Sequence, residues 1–236
     1  MMPGFGTVIN TAAIVAGGII GLFFQKALNQ RIQDTLMKAT GVCVLFIGVG
    51  GAMEEMLQVT EKGLESSGTM MLIASFALGA LAGEWLDIEG KLEQFGGWLR
   101  RVSRNEGDSQ FIDGFVSASL TVCIGAMAVV GAINDGLFGD SSILAAKAVL
   151  DLIIVMVMAA SMGKGCIFSA VPVALFQGAI TLAAGFLSPL VTDQAMSNLS
   201  FAGSVLIFCV GVNLVWGKMI RVANLLPALI AAVLIR

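Results

Sequence analysis

Apolar runs of about 20 residues follow one another along almost the whole chain. A run of this length can cross a bilayer as a helix, because a helix rises about 1.5 Å per residue and the hydrocarbon core is about 30 Å thick. Of the 236 residues, 57% are hydrophobic and only 12% are charged. The chain is therefore predicted to be an all-α, polytopic membrane protein that folds as a transmembrane helical bundle.

The apolar runs predict about eight spans. These lie at about 5–24, 38–56, 69–86, 111–133, 142–162, 166–187, 198–216 and 222–235. The last is only about 14 residues, roughly 21 Å, and contains Pro227, so it is either a short tilted span or a re-entrant half-helix. Linkers rich in Pro, Ser or charge are nearly absent, which predicts one integral membrane domain over residues 1–236.

Basic residues are concentrated in the odd-numbered connections between these spans. They are Lys26, Arg31, Lys38, Lys91, Arg100, Arg101, Arg104, Lys164, Lys218 and Arg221. Membrane proteins carry their excess of Lys and Arg on the cytoplasmic side, so both termini are predicted to lie outside. Three tryptophans then fall at the cytoplasmic interface, where amphipathic rings are favoured. They are Trp85, Trp98 and Trp216.

In the third connection, apolar residues recur at helical spacing among charged ones. They are Ile88, Leu92, Phe95, Leu99 and Val102. This pattern predicts an amphipathic helix that lies either on the inner leaflet or against the cytoplasmic ends of the bundle.

Composition argues against several other classes of protein. The net charge is −3 and the basic residues form no continuous tract, so there is no electrostatic footprint for a nucleic-acid partner. Four cysteines lack CxxC spacing, which indicates neither a disulfide framework nor a zinc site. Histidine and tyrosine are absent, which removes common catalytic acids and bases. We therefore expect no enzyme activity and no cofactor.

Three pairs of spans share a weak internal pattern. In each pair, a helix with two small residues four apart leads to a helix with a glycine among apolar residues: Gly17 and Gly21 with Gly48, Gly79 and Gly83 with Gly125, and Thr181 and Gly185 with Gly211. Such spacing lets helix backbones approach closely, although chance could also produce it. Under the predicted topology the third pair is inverted relative to the others. Inverted repeats place a substrate site near the middle of the membrane.

Two charges lie inside the fifth predicted span. Lys147 and Asp151 are four residues apart, on one face of the helix, and an ionisable group in a span costs about 2.5–3.5 kcal/mol on insertion scales. If the helix starts near Ser142, Asp151 lies about 14 Å in, near the middle of the membrane. A self-neutralising structural pair is the alternative. However, basic-before-acidic is the less favourable order, so the pair is predicted to be functional.

Other polar side chains at membrane depth are candidates to line the same site. They are Asn10, Gln177, Thr181 and Asn213. For each, a hydrogen bond between helices is the structural alternative. Asp135 falls in the segment 134–140, which is predicted to be a short acidic outer turn and which as a vestibule would attract cations.

A set of short strings occurs in order along the chain. They are Gly6-Thr7-Val8-Ile9-Asn10, Phe111-Ile112-Asp113-Gly114-Phe115, Cys123-Ile124-Gly125-Ala126-Met127, Asn134-Asp135-Gly136-Leu137, Lys147 with Asp151, Phe168-Ser169-Ala170-Val171-Pro172 and Gln177-Gly178-Ala179-Ile180-Thr181. Together they resemble the YqgA/YdfK-like family of bacterial inner-membrane proteins. The resemblance implies a multi-pass protein of that membrane, and it implies no activity, substrate or catalytic residue.

The function predicted from these residues is secondary transport or exchange of a small solute or ion, coupled to a cation or proton. Asp151 would bind the coupling ion, with Lys147 as its counter-charge or as an anion-binding group. The expected partners are the lipid bilayer, the solute and further copies of the chain in a homo-oligomer. Two alternatives stay open: an ion channel formed by a symmetric oligomer, and a non-transporting scaffold subunit.

Overall fold

The computed structural model describes residues 3–60, 63–187 and 192–235. In chain order they form α1 (Phe5–Ala27), α2 (Gln30–Met56), β1 (Leu57–Thr60), β2 (Gly63–Ser66), α3 (Thr69–Leu86), α4 (Ile88–Val102), α5 (Phe111–Cys123), α6 (Ala126–Phe138), α7 (Ser142–Met162), α8 (Ala170–Leu187), α9 (Asp193–Trp216) and α10 (Pro227–Leu234). The turns Lys164–Ser169 and Val222–Leu225 are 3₁₀ helices. The all-α prediction is confirmed, with the antiparallel pair β1–β2 as a short addition.

The helices confirm a polytopic membrane protein. In the described parts of the chain, six helices are long and apolar enough to cross a bilayer, and the bent pair α5–α6 raises the number to seven. The difference from about eight lies in the predicted span 222–235. That segment forms a 3₁₀ turn followed by the eight-residue α10, so it is shorter than a typical span.

The chain divides into two compact units. Unit 1 comprises Met1–Thr40, Leu92–Cys123 and Met127–Pro189. Unit 2 comprises Gly41–Lys91, Ile124–Ala126 and Leu190–Arg236. The prediction of a single membrane domain stays a prediction.

Unit 1 is built around a close contact between α1 and α7. Gly17 lies against the carbonyl oxygen of Leu152 and Gly21 against that of Met156, with no room for a side chain at either glycine. The two helices therefore run in the same direction with their backbones touching, as small residues allow. In the same unit, α8 runs antiparallel to α1.

The predicted span 111–133 is broken. α5 and α6 are bent by 64° at a short gap, where Gly125 has φ of 138°, a backbone conformation that favours glycine. The start of α5 lies beside Gly165 in the turn before α8, and the end of α6 lies at the start of α1. The pair therefore runs from one end of unit 1 to the other as a broken crossing.

In unit 2, α10 packs antiparallel along α3. Gly83 lies against Asn224 and Gly79 against Ala228, and Ala232 reaches the buried cluster that contains Met71. The segment 222–234 thus follows most of the length of α3. Of the three predicted small-residue pairs, two make close backbone contacts within their units, whereas Gly185 of the third has nothing within 4 Å of where a Cβ would lie.

A buried carboxylate fixes the turn before α10. Glu89 accepts a hydrogen bond from the backbone N–H of Ala223 at 3.1 Å. Its carboxylate also forms an ion pair with Lys218 Nζ at 2.9 Å. Nearby, Arg221 forms ion pairs with Glu84 and Asp87. The negative charge of Glu84 raises the pKa of the Arg221 guanidinium. These ion pairs hold the turn against the start of α4.

The amphipathic helix α4 packs on α5. The ring of Phe95 lies 5.9 Å from that of Phe115, Gly96 also faces Phe115, and Leu99 is buried. The helix was predicted to lie either on the inner leaflet or against the bundle. Packing against the bundle accounts for the apolar face of α4. Trp98 remains half exposed.

Candidate functional site

The predicted charged pair is buried inside unit 1. Lys147 Nζ donates to both carboxylate oxygens of Asp151, each at 2.7 Å, and the two side chains are only 8% and 4% exposed. The pair therefore faces protein rather than lipid, and Lys147 does not extend toward the membrane surface. Because the two charges neutralise each other, the pair can remain buried without a further ion.

Asn10 and Gln177 meet beside this pair. Asn10 lies next to Asp151, and its Nδ2 donates to Gln177 Oε1 at 3.3 Å. Both residues are fully buried, yet Asn10 Oδ1 and Gln177 Nε2 have no hydrogen-bond partner among the described residues. Buried polar atoms are nearly always hydrogen-bonded, so one acceptor and one donor are available here to a small polar molecule or to water.

Gln177 and Thr181 are four residues apart on α8, and both side chains turn toward α1. The hydroxyls of Thr7 and Thr181 lie 3.4 Å apart, within hydrogen-bonding distance. Thr7 was not singled out from the sequence. Its position, three residues before Asn10 and so on the same side of the helix, is the signal that could have found it.

Asp135 lies in a helix rather than in the predicted turn 134–140. α6 continues to Phe138, and only 139–141 form the turn. The Asn-Asp-Gly signal is overridden because Asp135 Oδ2 accepts a hydrogen bond from the N–H of Gly6 at 3.0 Å, and Gly136 packs against Thr181. Asp135 is fully buried, so it is not part of an open acidic vestibule.

The exposed carboxylate of the true turn is Asp140. It accepts the backbone N–H of Ser142 at 3.0 Å, and this hydrogen bond lowers the pKa of Asp140. This hydrogen bond joins the turn to Ser142, the first residue of α7. Nothing in its contacts indicates a ligand.

Asn213 belongs to unit 2 and is not among the residues that unit 1 brings together. Its Nδ2 donates to the carbonyl of Ile220 at 2.7 Å, and its Oδ1 accepts from the N–H groups of Met219 and Ile220, both at 2.9 Å. The side chain thus closes the loop after α9. Its hydrogen bonds are those of a structural residue.

The last residue of α5 lies near the charged pair. Cys123, the last residue of α5, is close enough to Lys147 and Asp151 to interact electrostatically with both. Discontinuous helices leave backbone donors and acceptors unsatisfied, and in membrane proteins such groups line binding sites. Across the described residues, no three acidic or cysteine side chains come together as a metal site would require.

Comparison with known proteins extends these observations. The family described as "Protein of unknown function (DUF554)" matches residues 5–236. The "Uncharacterized membrane protein YdfK" of Bacillus subtilis is 29% identical over 226 residues, 96% of this chain and 93% of that protein. The "Uncharacterized protein YqgA" of Escherichia coli is 30% identical over 231 residues, 96% of this chain and 94% of that protein. No solved structure matches the chain.

Proposed function

The chain belongs to the DUF554 family, and from the buried polar group of unit 1 we propose that it is a secondary transporter or exchanger of a small polar solute or ion, coupled to a cation or proton. One observation carries the proposal. Lys147 and Asp151 form a buried ion pair beside two amides, of Asn10 and Gln177, that leave one acceptor and one donor without partners. Substrate and ion pathways are among the functions that ionisable groups inside a membrane mark.

The arrangement suits a solute that carries both hydrogen-bond donors and acceptors. Asn10 Oδ1 would accept from the solute and Gln177 Nε2 would donate to it. Lys147 and Asp151 bind each other, so a charged solute would exchange places with one partner of the pair. Thr181 would line the same face one turn along α8. A neutralised pair of this kind can change partners without leaving a buried charge exposed to lipid.

The broken pair α5–α6 supplies the second requirement for transport, which is backbone that can rearrange at membrane depth. Transporters use discontinuous helices next to their binding sites, because the unwound segment offers polar groups and absorbs motion. Gly125 in the gap provides the conformational freedom. As further parts of the proposal, the chain lies in the bacterial inner membrane with both termini outside, contains inverted repeats and forms a homo-oligomer.

A ligand screen on purified protein tests the proposal. Thermal unfolding is measured with monovalent cations, amino acids, polyamines and organic acids, for wild type and for Asp151→Asn and Gln177→Leu. A solute at about 100 times its Kd stabilises the fold by about 2.7 kcal/mol. We expect such stabilisation in wild type and its loss in both variants. Ser161→Ala is the matched control, because Ser161 is also buried on α7 but bonds only to carbonyls of its own helix.

Flux into proteoliposomes then separates the three candidate functions. A transporter gives saturable uptake of the stabilising solute without unitary currents. Unitary currents in planar bilayers would instead identify a channel. Absence of both stabilisation and flux, together with unchanged growth of cells that carry Asp151→Asn, would contradict transport and support the scaffold function.

A further inference from the structure

Asp135 is a buried acid whose carboxylate is only partly satisfied. Oδ2 accepts the N–H of Gly6 at 3.0 Å, whereas Oδ1 has no hydrogen-bond partner in the described parts of the chain. The residue is fully buried. A buried polar atom without a partner is rare in folded proteins and calls for a water, a ligand, an ion or a proton to satisfy it.

The elements packed against Asp135 hold no cation that is available to it. α8 contains no charged residue, and the only charge on α1 is Lys26, about 30 Å along the helix from Gly6. On α7, Lys147 is bound to both oxygens of Asp151. Asp140, in the turn after α6, is itself acidic and exposed. In the described structure, Asp135 is therefore the buried acid without a counter-charge.

The immediate surroundings favour a proton over a metal cation. Sodium and larger cations need several oxygen ligands that converge on one point. The neighbours of Asp135 Oδ2 include the N–H donor of Gly6 and the apolar side chain of Leu144, which packs against the same side of Gly6. A proton needs only one oxygen atom. The free Oδ1 atom supplies it.

We propose that Asp135 is the proton-binding group of this protein, and that its protonation loosens the contact between the end of α6 and the start of α1. Ionised, the carboxylate makes a charge-assisted hydrogen bond to Gly6 N–H and ties the two helix ends together. Protonated at Oδ1, it keeps only a weaker, neutral bond. Its part in coupling rests on the proposed transport function, and it takes the coupling role from Asp151, which Lys147 already neutralises.

Infrared spectroscopy of the purified protein tests protonation without any solute. The C=O stretch of a protonated carboxyl is followed as the pH is lowered, in wild type, Asp135→Asn and the exposed control Asp140→Asn. We expect one band that disappears in Asp135→Asn and persists in Asp140→Asn and Asp151→Asn. A band that survives in Asp135→Asn, or a wild type with no such band, would overturn the proposal. If Asp135→Asn does not fold, Asp135→Glu should shift the frequency of the band, and an unshifted band would overturn it equally.

Hydrogen exchange tests the second half of the proposal. After correction for the intrinsic pH dependence of exchange, the first turn of α1 should exchange about tenfold faster at the pH where the carboxyl is protonated. In Asp135→Asn this pH dependence should vanish. A stabilisation by Na⁺ at constant pH that is lost in Asp135→Asn would show a sodium site and overturn the proton assignment. Failure of transport alone would leave the infrared band unchanged, so the two proposals fail separately.

Discussion

At the scale of single residues, the buried carboxylates of unit 1 differ in their binding partners. Lys147 and Asp151 are fully paired, while Asp135 relies on one backbone N–H. Removing one member of a buried pair leaves the other charge uncompensated, whereas replacing both by apolar residues is often tolerated. The pair should therefore behave as one energetic unit.

A double-mutant cycle on the pair follows from this. Lys147→Met and Asp151→Leu should each destabilise the fold by about 3–5 kcal/mol, and the double variant should be more stable than either single variant. Thermal unfolding in detergent measures the effect, with Ser161→Ala as a control on the same helix. A double variant that loses as much as the two single variants combined would show that the residues act independently.

The sequence predicted the members of this site better than their partners. Lys147 and Asp151 stand out from their spacing on one helix, and Gln177 and Thr181 from their polar side chains in an apolar run. The contact of Asn10 with Gln177 joins residues far apart in the chain, so no local pattern contains it. The loop contacts of Asn213 could not be predicted, because a polar side chain in an apolar run looks the same whether it binds a ligand or closes a loop.

At the scale of elements, the spacing of glycines does not by itself predict which of them lie in a close helix contact. The packing of the helices decides it. Gly21 lies against the backbone of Met156, while Gly178 of α8 has nothing within 4 Å of where a Cβ would lie. The apolar runs themselves predicted most of the helices. The break at Gly125 was missed because Ile124 and Gly125 continue the apolar run, and a hydropathy pattern carries no information on φ.

One substitution at two glycines tests the contact between α1 and α7. Gly21→Ala should destabilise the fold by about 1–3 kcal/mol, because the added methyl group meets a backbone carbonyl that cannot rotate away. Gly178→Ala is the matched control and should be neutral or stabilising by up to about 1 kcal/mol, from helix propensity. Equal unfolding temperatures for the two variants would contradict the close contact.

At the scale of the whole molecule, the side of the membrane on which residue 236 lies depends on whether α10 crosses the membrane. Its partner α3 is long enough to span, and Asn198 near the start of α9 donates to the carbonyls of Ala232 and Ile235 at 3.0 and 2.9 Å. The end of α10 thus lies with the start of α9. This contact supports a crossing by a segment that its length alone would not identify.

Reporter fusions test the crossing and the orientation together. Alkaline phosphatase fused after residue 236 should be active and green fluorescent protein there should be dark, because only the phosphatase works outside. Fusions in the turn after α6 should give the same result, and fusions after Trp216 the opposite. If only the fusion after residue 236 is reversed, the last helix does not cross. If all three are reversed, the predicted orientation is wrong.

The contact of α1 with α7 constrains the residue types of the two helices to different degrees. At this contact α1 contributes Gly17 and Gly21, whereas α7 contributes the carbonyl oxygens of Leu152 and Met156, which every residue type possesses, and the small side chain of Ala159. This contact therefore sets no requirement on the side chains at 152 and 156, whereas it leaves no room for a side chain at 17 and 21. The contact thus depends on small residues at three positions, 17 and 21 of α1 and 159 of α7.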